Sequence, residues 1–180
     1  ILIMANGGFR TQEARLLKWK DIKKITTADK DTFAEVVVRA ENTKVRKTRT
    51  IEMRRGDVFQ RIKGYSKYTE REDFVFSTYD KNEVLSKKRL YTVFNQLRES
   101  VKTKHKDFDE TKSLYSLRHF WITIRILAGL NVYDIAKISG TSLQQIQKHY
   151  DAAASLVTSQ KMNKHALRFD ENHNVVIDAD

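Results

Sequence analysis

Side chains that could act on a phosphate ester are spread along the whole chain, Arg10, Lys44, Arg118 and Tyr150 among them. A guanidinium is a rigid fork that binds two phosphate oxygens at once. An ammonium can give up a proton, and a phenol can attack as a nucleophile. Each residue also has a plain reading. Arg10 is a loop charge beside Asn6-Gly7-Gly8, and Lys44 sits in a run of four basic residues that reads as a solvated hairpin tip. Arg118 opens a helix, where an arginine is ordinarily solvated or ion-paired. Tyr150 is near a helix end, where a tyrosine ordinarily packs. Side-chain type alone does not choose between these readings.

The elements that must position them are most regular between Ser113 and Tyr150. Ser116 is placed to cap a helix running through Phe120, Ile122, Ile124 and Leu127, and Gly129 is a natural stop. Asn131 caps a short second helix that ends at Gly140. Thr141 or Ser142 opens a third, each with a Gln three residues on. Upstream, Thr11 can cap a helix with Ala14, Leu16 and Leu17 on its apolar side. Asp21–Thr26, Thr32–Ala40 and Arg49–Met53 read as strands, the last with Ile51 and Met53 on one face. Val58–Ile62 suggests a short helix and Phe74–Phe76 a buried extended segment. Ser86 opens an amphipathic helix through Leu90, Val93, Phe94, Leu97 and Val101, expected to bury that face. Arg54, Arg55, Lys87, Lys88, Lys102, Lys104 and Lys106 are candidate phosphate contacts that would read no sequence.

Taken together, the motifs Tyr115-x-x-Arg118-His119, Ser139-Gly140-Thr141-Ser142 and a tyrosine nine residues after Thr141 resemble the tyrosine recombinase (phage-type integrase) catalytic domain. Gly8-Phe9-Arg10-x-x-Glu13, followed by Leu16-Leu17 and Trp19, is similar to that family's first motif. The resemblance implies a set of roles. Arg10 and Arg118 would clamp the scissile phosphate, with Glu13 behind Arg10. Lys44, in a Thr-Lys pair after a strand, would protonate the leaving 5′ oxygen, with Lys47 the alternative. Thr141 and Tyr115 would contact the phosphate, and Tyr150 would attack it. The bond formed is a 3′-phosphotyrosyl ester, which conserves the energy for rejoining, so no cofactor or metal is implied. The fold implied is α+β, mostly α-helical, with a small three-stranded antiparallel sheet. It implies a catalytic domain over residues 1–168 and a tail over 169–180, which would pack on this domain or on a neighbour.

Two positions depart from the commonest pattern. Tyr115 and Thr141 stand where the family usually has an imidazole, or at the second position a tryptophan. Their hydroxyls can hydrogen-bond a phosphate oxygen. They cannot shuttle a proton near neutral pH, since a phenol titrates near ~10. His119 and His149 each adjoin a proposed catalytic residue and should point about 100° away from it. A supporting or packing role is the expectation for both.

Composition agrees with a polyanionic partner. Lys and Arg number 34 against 23 Asp and Glu, a formal charge of +11, which favours nucleic acid over an unspecific basic surface. There is no cysteine, hence no disulfide framework, thiolate metal site or cysteine nucleophile. The five histidines are scattered and show no metal-ligand spacing. No apolar run approaches the ~20 residues of a membrane span. Ile1–Ala5 is too short for a signal peptide and reads as the end of a helix already under way. The chain is therefore expected to be a fragment of a longer recombinase whose DNA-clamping domain lies upstream. The expected partner is a double-stranded DNA attachment site. The expected working unit is a homotetramer acting in the host cytoplasm, the fragment alone being a monomer. The rivals are a catalytically inactive DNA-binding module of the same fold and a type IB topoisomerase.

Overall fold

The computed structural model describes residues 1–164, 167–169 and 175–177. The chain forms two units: Ile1–Ile122 with Ile138–Gly140, and Thr123–Lys137 with Thr141–Asp180.

The first unit is built on an antiparallel sheet of β1 (Ile22–Ala28), β2 (Asp31–Val38) and β3 (Arg49–Arg54), in that order. Alternation puts Ala34, Val36 and Val38 on the buried face of β2. Their partners across the ladder are Met53, Ile51 and Arg49. Two apolar residues and one arginine thus share the core face of β3. Ile3, Phe9, Leu17, Phe59, Phe94 and Leu114 close over the sheet in one cluster, each such burial stabilising by roughly 1.5–3 kcal/mol. They belong to or adjoin α1 (Leu2–Gly7), α2 (Thr11–Arg15), α3 (Asp57–Tyr65), α4 (Lys87–Lys104) and α5 (Leu114–Leu127).

Several details differ from the sequence expectation. β1 and β2 meet in a two-residue turn, because Asp29 and Lys30 both adopt positive φ, 47° and 70°. That turn has the twist antiparallel strands require, and nothing in an Asp-Lys pair advertises it. β2 ends at Val38, where the Arg39 guanidinium turns to Asp21 and the Leu16 carbonyl. Of the expected extended segment, Phe74 makes an isolated antiparallel bridge with Lys18 while residues 75–76 turn, and only Val75 is buried, its N–H bonded to the Leu17 carbonyl at 2.9 Å. On α4, Ser86 caps as expected, yet Val93 and Leu97 are each 43% exposed and only Phe94 is buried. Apolar spacing identifies a face without supplying the surface that covers it. α5 begins at Leu114, two residues before Ser116. The Leu114 side chain is fully buried, and Ser116 instead accepts from the Ser113 N–H at 3.0 Å.

The second unit contains most of α6 (Val132–Ser139), together with α7 (Leu143–Lys164) and an antiparallel pair, β4 (Leu167–Phe169) with β5 (Val175–Ile177). Gly129, at φ 76°, stops α5. Asn131 caps α6 through the Tyr133 N–H at 2.8 Å. Of the two candidate caps for α7 it is Ser142 that serves, accepting from Gln145 at 3.2 Å. The docking face expected of the 169–180 tail lies outside the described residues. Among the described residues no helix is long and apolar enough to cross a membrane.

Candidate active site

Arg10, not Thr11, occupies the position that opens α2, with extended backbone at φ −68° and ψ 150°. Glu13, one turn on, returns to it twice. Its Oε2 accepts the Arg10 backbone N–H at 2.8 Å and its Oε1 the Arg10 Nη1 at 2.7 Å. Arg10 Nη2 donates to the Gly140 carbonyl at 2.5 Å. The short α2 therefore aims a guanidinium that is already held on two sides.

Glu13 has a second partner that the sequence reading missed. Arg49 donates to it through both terminal nitrogens, at 3.2 and 2.7 Å, and through Nε to the Ile138 carbonyl at 2.8 Å. The guanidinium lies against Gly140, where an added Cβ would sit 3.0 Å from Nη1 on a backbone already at φ 68°. A signal for Arg49 was present in the sequence. In a strand of period two it falls on the same face as Ile51 and Met53, and a cation on a core face needs a buried acceptor.

Arg118, on α5, is 1% exposed. Its Nη1 donates to the Gly8 carbonyl at 2.6 Å, and its Nη2 is buried without a hydrogen-bond partner among the described residues. Gly8 can bring its carbonyl this close because it has φ 63° and no Cβ. A Cβ there would lie 2.6 Å from the Trp121 ring, whose Nε1 donates to the Asn6 carbonyl at 2.8 Å. Burial first and the Arg10 charge second push the pKa of the Arg118 guanidinium down to about 10, with Glu13 and Tyr115 opposing the shift. At Glu13 burial works to raise the carboxyl, but the hydrogen bonds and charge of Arg49, with those of Arg10, hold it below its usual range. Three guanidiniums thus gather around one carboxylate, three positive charges against one negative, a local excess of +2. In a partly buried place that excess calls for an anion.

The other expected residues are placed as follows. Tyr115 is 48% exposed, one turn before Arg118 and His119, and its ring meets His119 edge-on at 4.8 Å. Lys44 and Lys47 lie in an exposed stretch between β2 and β3. That stretch is anchored by buried Thr43, which donates to the Ala40 carbonyl at 3.1 Å and accepts the Lys47 N–H at 3.2 Å. Thr141 and Tyr150 belong to the second unit. The Thr141 N–H donates to the Ala136 carbonyl at 3.0 Å, closing α6. Tyr150 lies in α7 with a buried side chain, its ring 6.5 Å from that of His149. His149 is exposed and is not a core histidine. Among the described residues no cluster of acids and histidines could hold a metal.

The chain matches the phage integrase family over residues 1–168. It belongs to that family. No curated protein sequence matches this phage integrase family member. Solved structures that share its fold include the Tn1549 transposon integrase in complex with circular intermediate DNA, 19% identical with a TM-score of 0.65, covering 92% of this chain and 58% of that one. Another is the XerH site-specific recombinase in a post-cleavage complex with its palindromic difH substrate, 16% identical with a TM-score of 0.61, covering 90% and 42%. This integrase-family chain therefore spans about half the length of the proteins it resembles.

Proposed function

We propose that this chain is the catalytic region of a site-specific recombinase that cuts and rejoins duplex DNA through a 3′-phosphotyrosyl bond. The observation that carries the reading is the charge excess around Glu13, with the buried Arg118 Nη2 lacking a partner. A phosphodiester becomes dianion-like as it is attacked, and preorganised cations stabilise that charge most where water is excluded. In this reading Arg10 and Arg118 bind the two non-bridging oxygens and Tyr150 attacks phosphorus. Lys44 protonates the departing 5′ oxygen, and the Tyr115 and Thr141 hydroxyls add hydrogen bonds. Glu13 and His119 support Arg10 and Tyr115. Residues 1–168 act as one catalytic domain with 169–180 as its tail. The partners are duplex attachment sites in the cytoplasm, on which four copies assemble.

Covalent trapping tests this. The full-length protein is incubated with nicked duplexes carrying candidate attachment sites, beside Tyr150→Phe and Arg118→Ala. The expected result is a denaturation-resistant protein–DNA adduct that Tyr150→Phe abolishes and whose formation Arg118→Ala slows severely. Site-specific binding without an adduct would make the chain an inactive DNA-binding module. Relaxation of supercoiled DNA of any sequence by a monomer would make it a topoisomerase.

A further inference from the structure

From the bonds around Glu13 we infer that Arg49 is a positioning residue for Arg10, a role that rests on the recombinase reading above. Four links form a closed ring. Arg10 donates to Glu13, and Glu13 accepts both terminal nitrogens of Arg49. Arg49 donates to the Ile138 carbonyl, and Gly140, two residues on, accepts from Arg10. The ring joins three places remote in sequence: the start of α2, the first residue of β3 and the turn that precedes Thr141.

The chemistry of the ring explains why Arg49 is needed. A carboxylate has room for about four hydrogen bonds in its plane. Arg10, with one backbone and one side-chain bond, fills only about half of that room, one bond to each oxygen. Arg49 adds two parallel N–H groups, one to each of the oxygens that Arg10 also holds, the geometry that gives directional as well as energetic restraint. With each oxygen held twice, Glu13 presents a fixed edge to Arg10, and Gly140 fixes the other guanidinium nitrogen. Arg49 lies at 10% side-chain exposure, and all three of its side-chain nitrogens are engaged, by Glu13 and the Ile138 carbonyl. It acts on the phosphate through Arg10 and makes no contact with it.

Lysine at this position would keep the charge and lose the fork. The test measures the rate of adduct formation by the full-length protein saturating its attachment-site duplex. It compares wild type, Arg10→Ala, Arg49→Ala and Arg49→Lys. Each acts on an ordinary scissile phosphodiester and on one replaced by a methylphosphonate, which lacks the anionic non-bridging oxygen that Arg10 would neutralise. On the ordinary linkage Arg49→Ala is expected to slow the reaction roughly 10²-fold, the scale of a misplaced catalytic group, with DNA binding retained and Arg49→Lys in between. On the methylphosphonate the deficits of Arg49→Ala and Arg10→Ala should shrink together. An Arg49 deficit equal on both linkages, or no deficit, overturns the proposal. Should Arg49→Ala not fold, Arg49→Lys carries the comparison alone.

Failure of the recombinase reading would show differently, as no adduct from the wild type on either linkage. The positioning claim is then decided by nitrogen NMR of the Arg10 guanidinium. Hindered rotation in the wild type that is freed in Arg49→Lys supports it, and identical rotation in both overturns it.

Discussion

Two carboxylates in the first unit do the same structural work in different electrical surroundings. Asp21 accepts the backbone N–H of Lys18, three residues earlier, and pairs with Arg39 at the end of β2. Glu13 accepts the backbone N–H of Arg10, three residues earlier, and pairs with Arg49 at the start of β3. Both are almost fully buried. Arg39 completes its bonds on the Leu16 carbonyl and the exposed Glu41, so the Asp21 site holds no surplus cation. Around Glu13 there are also Arg10 and Arg118, and the site is left positive. The architecture alone needs no surplus cation. The surplus cations at Glu13 are a cost to folding that a bound phosphate would offset. Between the two arginines runs the exposed stretch carrying Lys44. In the proposed reaction the proton donor is thus a tethered arm with pinned ends, while the arginines proposed to seat the phosphate are already held by hydrogen bonds.

The largest expected effect separates function from stability at the surplus cation. Arg118→Ala should slow adduct formation roughly 10³-fold, as loss of a preorganised oxyanion donor does. Arg118→Met should be as inactive, yet melt no lower than the wild type, because it removes a buried, underpartnered charge while keeping volume. A clear fall in the melting temperature of Arg118→Met would mean that the cation is structural, like Arg39.

Next come the carboxylates themselves. Glu13→Gln and Asp21→Asn should each cost about 3 kcal/mol of unfolding free energy, the scale for breaking a buried pair from one side. Only Glu13→Gln should also slow cleavage by protein that remains folded. Because the Glu13 carboxyl lies below its ordinary value of 4.5, its contribution is present above that pH and is lost as pH falls through the lowered value. Denaturant melts across the acid range should show a slope in the wild type that Glu13→Gln reduces.

Lys44→Ala should leave the melting temperature unchanged, since the side chain is exposed and bonds to nothing among the described residues. Cleavage should fall roughly 10²-fold. A duplex whose 5′ bridging oxygen is replaced by sulfur should react with Lys44→Ala as fast as with the wild type. A thiol titrates near ~8.5 and leaves without a proton donor. If Lys47→Ala shows this behaviour instead, the acid is the other lysine. The smallest effect lies outside the comparison, where Ser86→Ala should cost about 1 kcal/mol as a lost helix cap and leave cleavage by folded protein untouched.

Much of this was legible in the residues. The three strands and the caps at Ser86 and Asn131 follow from period, β-branching and capping chemistry, which act over a few neighbours, while the fold class came from the family resemblance. The proximity of Glu13 to Arg10 follows from helical spacing. The start of α5 at Leu114 was not legible, because the pull of a core pocket on a leucine outweighs the local attraction of a serine cap. Nor were the exposed Val93 and Leu97, for which amphipathic spacing has no information about coverage.

The sequence by itself determined which chemistry was on offer: arginines, a lysine and a tyrosine in an order that a phosphate-transfer family shares, on a chain of net charge +11. Tertiary structure alone decided which arginines were surplus. Arg39 and Arg49 are alike as residues in a hairpin. Only the packing of α1, α2 and α5 on the sheet leaves the first neutralised and puts the second in a cluster of three guanidiniums about one carboxylate. Charge balance in a buried place is a sum over neighbours brought together from remote parts of the chain, and no local pattern carries that sum.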